Sequence, residues 1–344
     1  MDSARKTLVA AFRPDFAVIH WRFAVRASFG VAIAIFSALH FGSTLDALAA
    51  GVGAVSSALP SLTGDYRTRL LGCLATALAM SSASYIAGMA GSWTWAIVTA
   101  TAGSAYIYGI LSRLPEPAGA VGLQALLATI ILGNIGTQPA QMGGVALAVL
   151  GGGLVQTLIV ALEWAILPHA GRAPVFRAFD VRTLFNRYAG RVALVVAVAM
   201  LIFRLGHIER GYWIALTAAI VLRPDYRSTF SIVIARVAGT IAGAVLAWGI
   251  AALIPTVPSA HAAAAIGFAL FGFFVFRVGP AFYAIGITGF VIFLLSMVGG
   301  RIEAGAVEAR IVATLIGGGL ALIAFAFGGP KGAPDGSKGS LVAS

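Results

Sequence analysis

Asp65-Tyr66-Arg67 and Asp225-Tyr226-Arg227 are one tripeptide met twice, each time after an apolar run and before a longer one. Recurrence over such a distance makes each half of the chain a unit to be read against the other. The surrounding composition then names the solvent. Of 344 residues, 60% are hydrophobic and only 10% charged, and mean hydropathy is +0.95, which is more apolar surface than a water-soluble domain can bury. The chain reads as an all-α integral membrane protein whose first partner is the lipid bilayer.

A spanning helix needs roughly 17 to 25 apolar residues. Segments of that kind run over 23–41, 67–89, 93–111, 142–167, 188–205, 231–254, 280–299 and 307–328, with shorter ones over 45–60, 118–133, 210–222 and 261–276. Six precede a polar stretch and six follow it. The expected organisation is a cytoplasmic N-terminal segment (1–22), a first six-helix repeat (23–167), a cytoplasmic linker (168–187), a second repeat (188–328) and a disordered tail (329–344). With the N-terminus inside, the inner loops collect most of the arginines and the outer ones keep only Arg204, Arg210, Arg301 and Arg310. That bias fits twelve crossings with both termini cytoplasmic, and it accounts for the net charge of +11 without nucleic acid. An even number of crossings per half makes the repeats parallel, related by a pseudo-twofold axis along the membrane normal.

No constellation for catalysis, cofactor or metal stands out. His20, His40, His169, His207 and His261 fall near segment ends, away from one another and from the lone Cys73. The Gly runs at 151–153 and 317–319 lie inside apolar helices, without the strand and Lys that a phosphate loop requires. Chemistry therefore rests on charges at the membrane boundary. Arg26 and Arg191 open the first segment of each half, and Arg69 and Arg236 the third. As a symmetric set they would ring the inner mouth of a central path, where guanidinium groups suit carboxylates, a reading level with positive-inside anchoring; singly, each is better explained by that anchoring. In this register Arg69 pairs with Arg236, 167 residues on, and the two tripeptides, 160 apart, are not equivalent.

Asp65 and Asp225 follow the short second and eighth segments, as ion-pair partners or helix caps rather than proton carriers. Glu163 is the best isolated carboxylate for a proton relay. Asp46, Glu209, Glu303 and Glu308 read as outer-rim partners for Arg210, Arg301 and Arg310. Tyr212 and Trp213 carry more weight than the other aromatics because they open the short eighth segment. Paired short segments are the best pointer to a transport site, with close packing through Gly51, Gly53, Gly119, Gly122, Gly286 and Gly289 as the alternative.

Tyr212-Trp213-Ile214-Ala215-Leu216-Thr217 through Leu222-Arg223-Pro224-Asp225, then Ser228-Thr229-Phe230 and Arg236-Val237-Ala238-Gly239-Thr240, resembles the fusaric acid resistance (FUSC) and aromatic acid exporter family. In the first half only Leu59-Pro60 and Arg69-Leu70-Leu71-Gly72 echo it. The resemblance implies a bacterial inner-membrane transporter, not an enzyme, exporting small organic anions such as aromatic carboxylates. The short linker and tail leave no place for the large cytoplasmic domains that many members carry. A pseudo-dimeric anion channel like the plant malate transporters is the alternative, followed by a membrane scaffold subunit with a dry centre. A homo-oligomer or a periplasmic adaptor stays open.

Overall fold

The computed structural model describes residues 19–62, 64–135, 138–166, 187–223, 226–299 and 304–326. Asp225, Arg301, Glu303 and the expected linker and tail lie outside the described residues, as does most of the N-terminal segment. Among the described residues there are twelve α-helices and no strand: α1 (Trp21–Phe41), α2 (Thr44–Ala58), α3 (Tyr66–Ala90), α4 (Thr94–Leu111), α5 (Ala118–Leu132), α6 (Met142–Ile166), α7 (Arg187–Leu205), α8 (Tyr212–Val221), α9 (Tyr226–Ala251), α10 (Pro258–Phe274), α11 (Pro280–Gly299) and α12 (Ala304–Ala326). Short 3₁₀ turns extend α2 over Leu59–Leu62 and precede α6 at Pro139–Gln141. Among the described residues, seven helical stretches are long and apolar enough to cross a membrane.

Local chemistry explains where the helices begin. Ser43 and Asp46 form a reciprocal capping box at α2, the Ser43 hydroxyl accepting from the Asp46 N–H at 3.2 Å and the Asp46 carboxylate from the Ser43 N–H at 2.9 Å. Asp46 is thus a cap, where the sequence suggested a rim salt bridge. Asp65 caps α3, its Oδ1 accepting from the Thr68 N–H at 2.9 Å. Pro258 and Pro280 stand as first residues of α10 and α11, where a missing N–H costs nothing.

The short helices α2 and α8 are the most deeply enclosed. Eleven residues of α2, from Ala47 to Ala58, are buried, and so is α8 apart from Ile220. A helix apolar on all faces and buried on all faces needs neighbours all round rather than lipid. For α2 these are α1, α3, α6 and α11; for α8 they are α7, α9, α12 and α5. Glycine makes the tightest of these crossings. A Cβ at Gly152 of α6 would stand 2.0 Å from the Ala50 carbonyl oxygen, and one at Gly53 of α2 would stand 2.2 Å from that of Val149, so the two backbones touch.

Packing within the first half recurs in the second with every helix number raised by six: α1 on α2 and α7 on α8, α3 on α5 and α9 on α11, α4 on α5 and α10 on α11, α2 on α6 and α8 on α12. Contacts between the halves recur as well, α1 on α10 with α7 on α4, and α2 on α11 with α8 on α5. Two hydrophobic cores result. One joins α1, α2 and α6 to α10 and α11, and the other joins α7 and α8 to α4 and α5. Between them lie Ile131, Val291 and Leu295, which pack against both. The centre between the halves is apolar at these positions.

Charge is divided between the two ends of the bundle. Arg22, Arg26, Arg67, Arg69, Arg113, Arg187, Arg191, Arg223 and Arg277 lie at or near the end where α1 begins, the first end. At the second end the described residues hold Arg204, Arg210 and Arg310 beside Asp46, Glu209 and Glu308.

Candidate functional site

The four arginines expected to form one ring do not share one environment. Arg26 is compensated: its Nη1 pairs with Glu163, its Nη2 donates to the Ser61 hydroxyl at 2.5 Å, and the Phe23 ring lies 5.6 Å from its guanidinium carbon. Glu163, expected to be isolated, is therefore the partner of Arg26, with side chains only 11% and 22% exposed. Arg69 sits three residues beyond the start of α3, donates from Nε to the Gly64 carbonyl at 2.8 Å and covers Tyr66. Arg191 is half-buried near the start of α7. Arg236 lies ten residues beyond Tyr226, about 15 Å along α9 at 1.5 Å per residue. It is thus about 10 Å deeper in its helix than Arg69 in its own. Gly72 and Gly239, three residues beyond Arg69 and Arg236, each pack against the start of the fifth helix of their half, at Pro117 and at Ala281.

Arg236 instead belongs to a cluster assembled by α8, α9, α11 and α12. Arg310 of α12, expected at the outer rim, is 3% exposed, and its guanidinium carbon lies 3.4 Å from the centre of the Trp213 ring. Tyr212 stacks on Trp213 with centroids 5.5 Å apart, and both are buried at the start of α8. Arg236 and Arg310 lie within electrostatic reach of each other, Arg310 also of Tyr212, and Arg236 of Tyr283 on α11. Neither guanidinium has a carboxylate partner among the described residues. Buried Nε of Arg236, Nε and Nη1 of Arg310, and the Thr240 hydroxyl one turn beyond Arg236 have no hydrogen-bond partner.

An Arg near the middle of a spanning helix costs about 2.5 to 3.5 kcal/mol even on the lenient insertion scale. Two of them together, uncompensated, add mutual repulsion. Such an arrangement is stabilised by an anion from outside. The polar groups form a ladder through the second half: Tyr283 toward the first end, Arg236 near mid-depth, then Arg310 with Trp213 and Tyr212 toward the second end.

Of the residues singled out from sequence, Arg236, Tyr212 and Trp213 come together here. Arg26, Arg69, Asp65 and Glu163 are engaged elsewhere in caps and pairs, Arg191 lies on α7, and Asp225 is outside the described residues. Arg310 and Tyr283 were missed. The signal for Arg310 was present, since it falls inside the apolar segment 307–328 and not in a loop.

Residues 196–324, which contain the whole cluster, match the family described as "Fusaric acid resistance protein-like". The resemblance carried by the motif around Tyr212 and Arg236 is thus matched over the second half. Among curated proteins, the chain is 34% identical over 171 residues to "Uncharacterized protein ORF2" of Neisseria gonorrhoeae, covering 50% of this chain and 40% of that protein. It is 28% identical over 152 residues to "Inner membrane protein YccS" of Escherichia coli K12, covering 44% of this chain and 21% of that protein. A third relative, an uncharacterized Synechocystis protein, is 33% identical over 160 residues, or 20% of its length. The chain thus spans well under two thirds of the curated relatives it matches. No solved structure matches.

Proposed function

We propose that this membrane protein transports small organic anions, aromatic carboxylates among them, outward across a bacterial inner membrane. The observation that carries the reading is the buried pair Arg236 and Arg310, two cations without a counter-charge among the described residues, beside Trp213 and Tyr212. A carboxylate supplies the missing charge and accepts from the open N–H groups. An aromatic ring on the same molecule finds Tyr212, Trp213 and Tyr283 at hand.

The recurrence of most packing pairs at a six-helix interval supports twelve crossings as two parallel repeats about a pseudo-twofold axis. The concentration of arginines at the first end supports that end, and hence both termini, as cytoplasmic. Because the uncompensated cations Arg236 and Arg310 lie among helices of the second half, the reading assigns the path to that half. Export needs no proton: an interior-negative potential drives an anion out by about 2.3 kcal/mol per charge per 100 mV.

Voltage-driven benzoate flux in proteoliposomes tests this. Wild type carries flux that falls at least about tenfold in both Arg236→Gln and Arg310→Gln, while Arg69→Gln leaves it near wild type. Flux that ignores the first two substitutions overturns the assignment. The recurring packing also keeps a pseudo-dimeric channel in view, and unitary currents from the reconstituted protein distinguish it from a slow saturable carrier.

A further inference from the structure

A cavity opens at the second end of the bundle beside Tyr212, the Phe203 ring in its wall meeting the Tyr212 ring edge to face with centroids 6.1 Å apart. It has a volume of about 200 Å³ and lies where the ends of α3, α5 and α7 converge at the second end, lined by Gly91, Ser92, Gly133, Asn134, Phe203 and Arg204, with Pro139 nearby. Its walls are fixed by backbone on backbone, since a Cβ at Gly91 would stand 2.5 Å from the Gly133 carbonyl oxygen.

Two side chains give the cavity its chemistry. Arg204 spends one amino group on the Gly91 carbonyl, Nη2 donating at 2.5 Å, and this aims the fork while the buried Nε stays without a partner. The Phe203 ring backs the guanidinium, 5.4 Å from its carbon. Asn134 spends its donor on the Ile130 carbonyl at 2.8 Å, leaving its buried Oδ1 as an acceptor without a donor. No carboxylate lines the space among the described residues.

We infer that this cavity is a binding site of its own, next to the second-end rung of the proposed transport ladder, for an oxyanion that carries a hydroxyl or ammonium donor on an adjacent atom. The oxyanion meets the Arg204 fork, and the neighbouring O–H or N–H donates to Asn134 Oδ1. At roughly 30 Å³ per water-sized unit, the space takes a short hydroxy acid or the phosphoglycerol headgroup of a lipid, which share this chemistry. A plain carboxylate satisfies only the arginine.

Lactate and propionate differ by the one hydroxyl at issue. Calorimetric titration of the delipidated, detergent-purified protein is expected to give lactate about tenfold tighter than propionate, the worth of one well-made hydrogen bond. Asn134→Leu removes the preference, Arg204→Gln abolishes both affinities, and Arg236→Gln with Arg310→Gln leaves the preference intact. Equal affinities for the two acids in the wild-type protein, or a lactate preference that survives Asn134→Leu, overturn the inference. The first comparison needs no variant to fold. Adding phosphatidylglycerol separates the sources: competition with lactate assigns the site to a lipid headgroup, and lack of competition to a soluble acid, either of which upholds it.

Discussion

Replacing Arg310 with Met should make the protein more stable and less functional at once. The guanidinium is 3% exposed with two unpartnered nitrogens, so its burial is charged against folding at about 2.5 to 3.5 kcal/mol near mid-membrane, less toward the end. Its stacking on Trp213 at 3.4 Å returns about 0.5 to 2 kcal/mol. Met keeps the length and apolar volume of the stem and removes the charge. The net gain is about 1 to 2 kcal/mol. With an unfolding entropy of about 2.1 cal/mol/K per residue, it raises the midpoint of thermal unfolding in detergent by about 1 to 3 °C. Arg236→Met acts in the same direction, and because the two charges repel, the double variant gains less than the sum of the singles. Saturating benzoate at about a hundred times its Kd stabilises wild type by about 2.7 kcal/mol, roughly 4 °C on the same scale, and leaves Arg310→Met unmoved. A variant that melts below wild type while still passing benzoate, or one that benzoate stabilises as fully as wild type, refutes the reasoning.

The compensated pair in the first half should behave in the opposite way. Glu163→Gln leaves the Arg26 charge mostly buried with only Ser61 to hold it, destabilising by about 1 to 3 kcal/mol, and adding Arg26→Met restores most of the loss in a double-variant cycle of thermal melts. Gly152→Ala, whose Cβ would meet the Ala50 carbonyl oxygen at 2.0 Å, lowers folded yield sharply, whereas Gly151→Ala, which faces open space, stays within about 0.5 kcal/mol of wild type. Hydrogen bonds from Thr68 hold the Asp65 carboxyl below the ordinary carboxylate range. A group so lowered contributes its stability in full above its unfolded value of about 3.9 and loses it as pH falls through the folded one. Asp65→Ala therefore costs about 0.5 to 2 kcal/mol at neutral pH, and the difference from wild type shrinks below about pH 4, as melts across that range would register.

Segment boundaries were legible because a lipid-facing helix must be apolar for its whole length, so α11 at 280–299 was readable to the residue and α5 to within one. Depth was harder to read. The apolar run that marks α9 in the sequence begins at 231, whereas the helix already covers Tyr226, which leaves Arg236 farther along its helix than the run suggests. The partners of a charge were hardest of all. Glu163 and Arg26 are 137 residues apart, and nothing local to either announces the other. Asp46 was read as a rim partner because its capping role needs only Ser43, three residues back, a signal present in the sequence and outweighed by counting charges on one side. Arg310 was lost to the same counting.

The two halves share a packing plan but not a charge plan, and the difference bears on mechanism. In the first half, Arg26 reaches across to α6 and is neutralised by Glu163, an anion supplied by the chain itself. In the second half, Arg236 and Arg310 lie deep with no such partner among the described residues. A tethered carboxylate competes with any dissolved one at a high effective concentration, so on the proposed reading Glu163 keeps outside anions from Arg26. The second half keeps its cations open at a standing cost in stability. The halves brace each other through α1 with α10 and α7 with α4, so packing shared across the bundle helps to carry that cost. The proposed function then has one anion path per chain, and Glu163→Gln, by uncovering Arg26, is the substitution expected to add benzoate binding that Arg236→Gln does not remove.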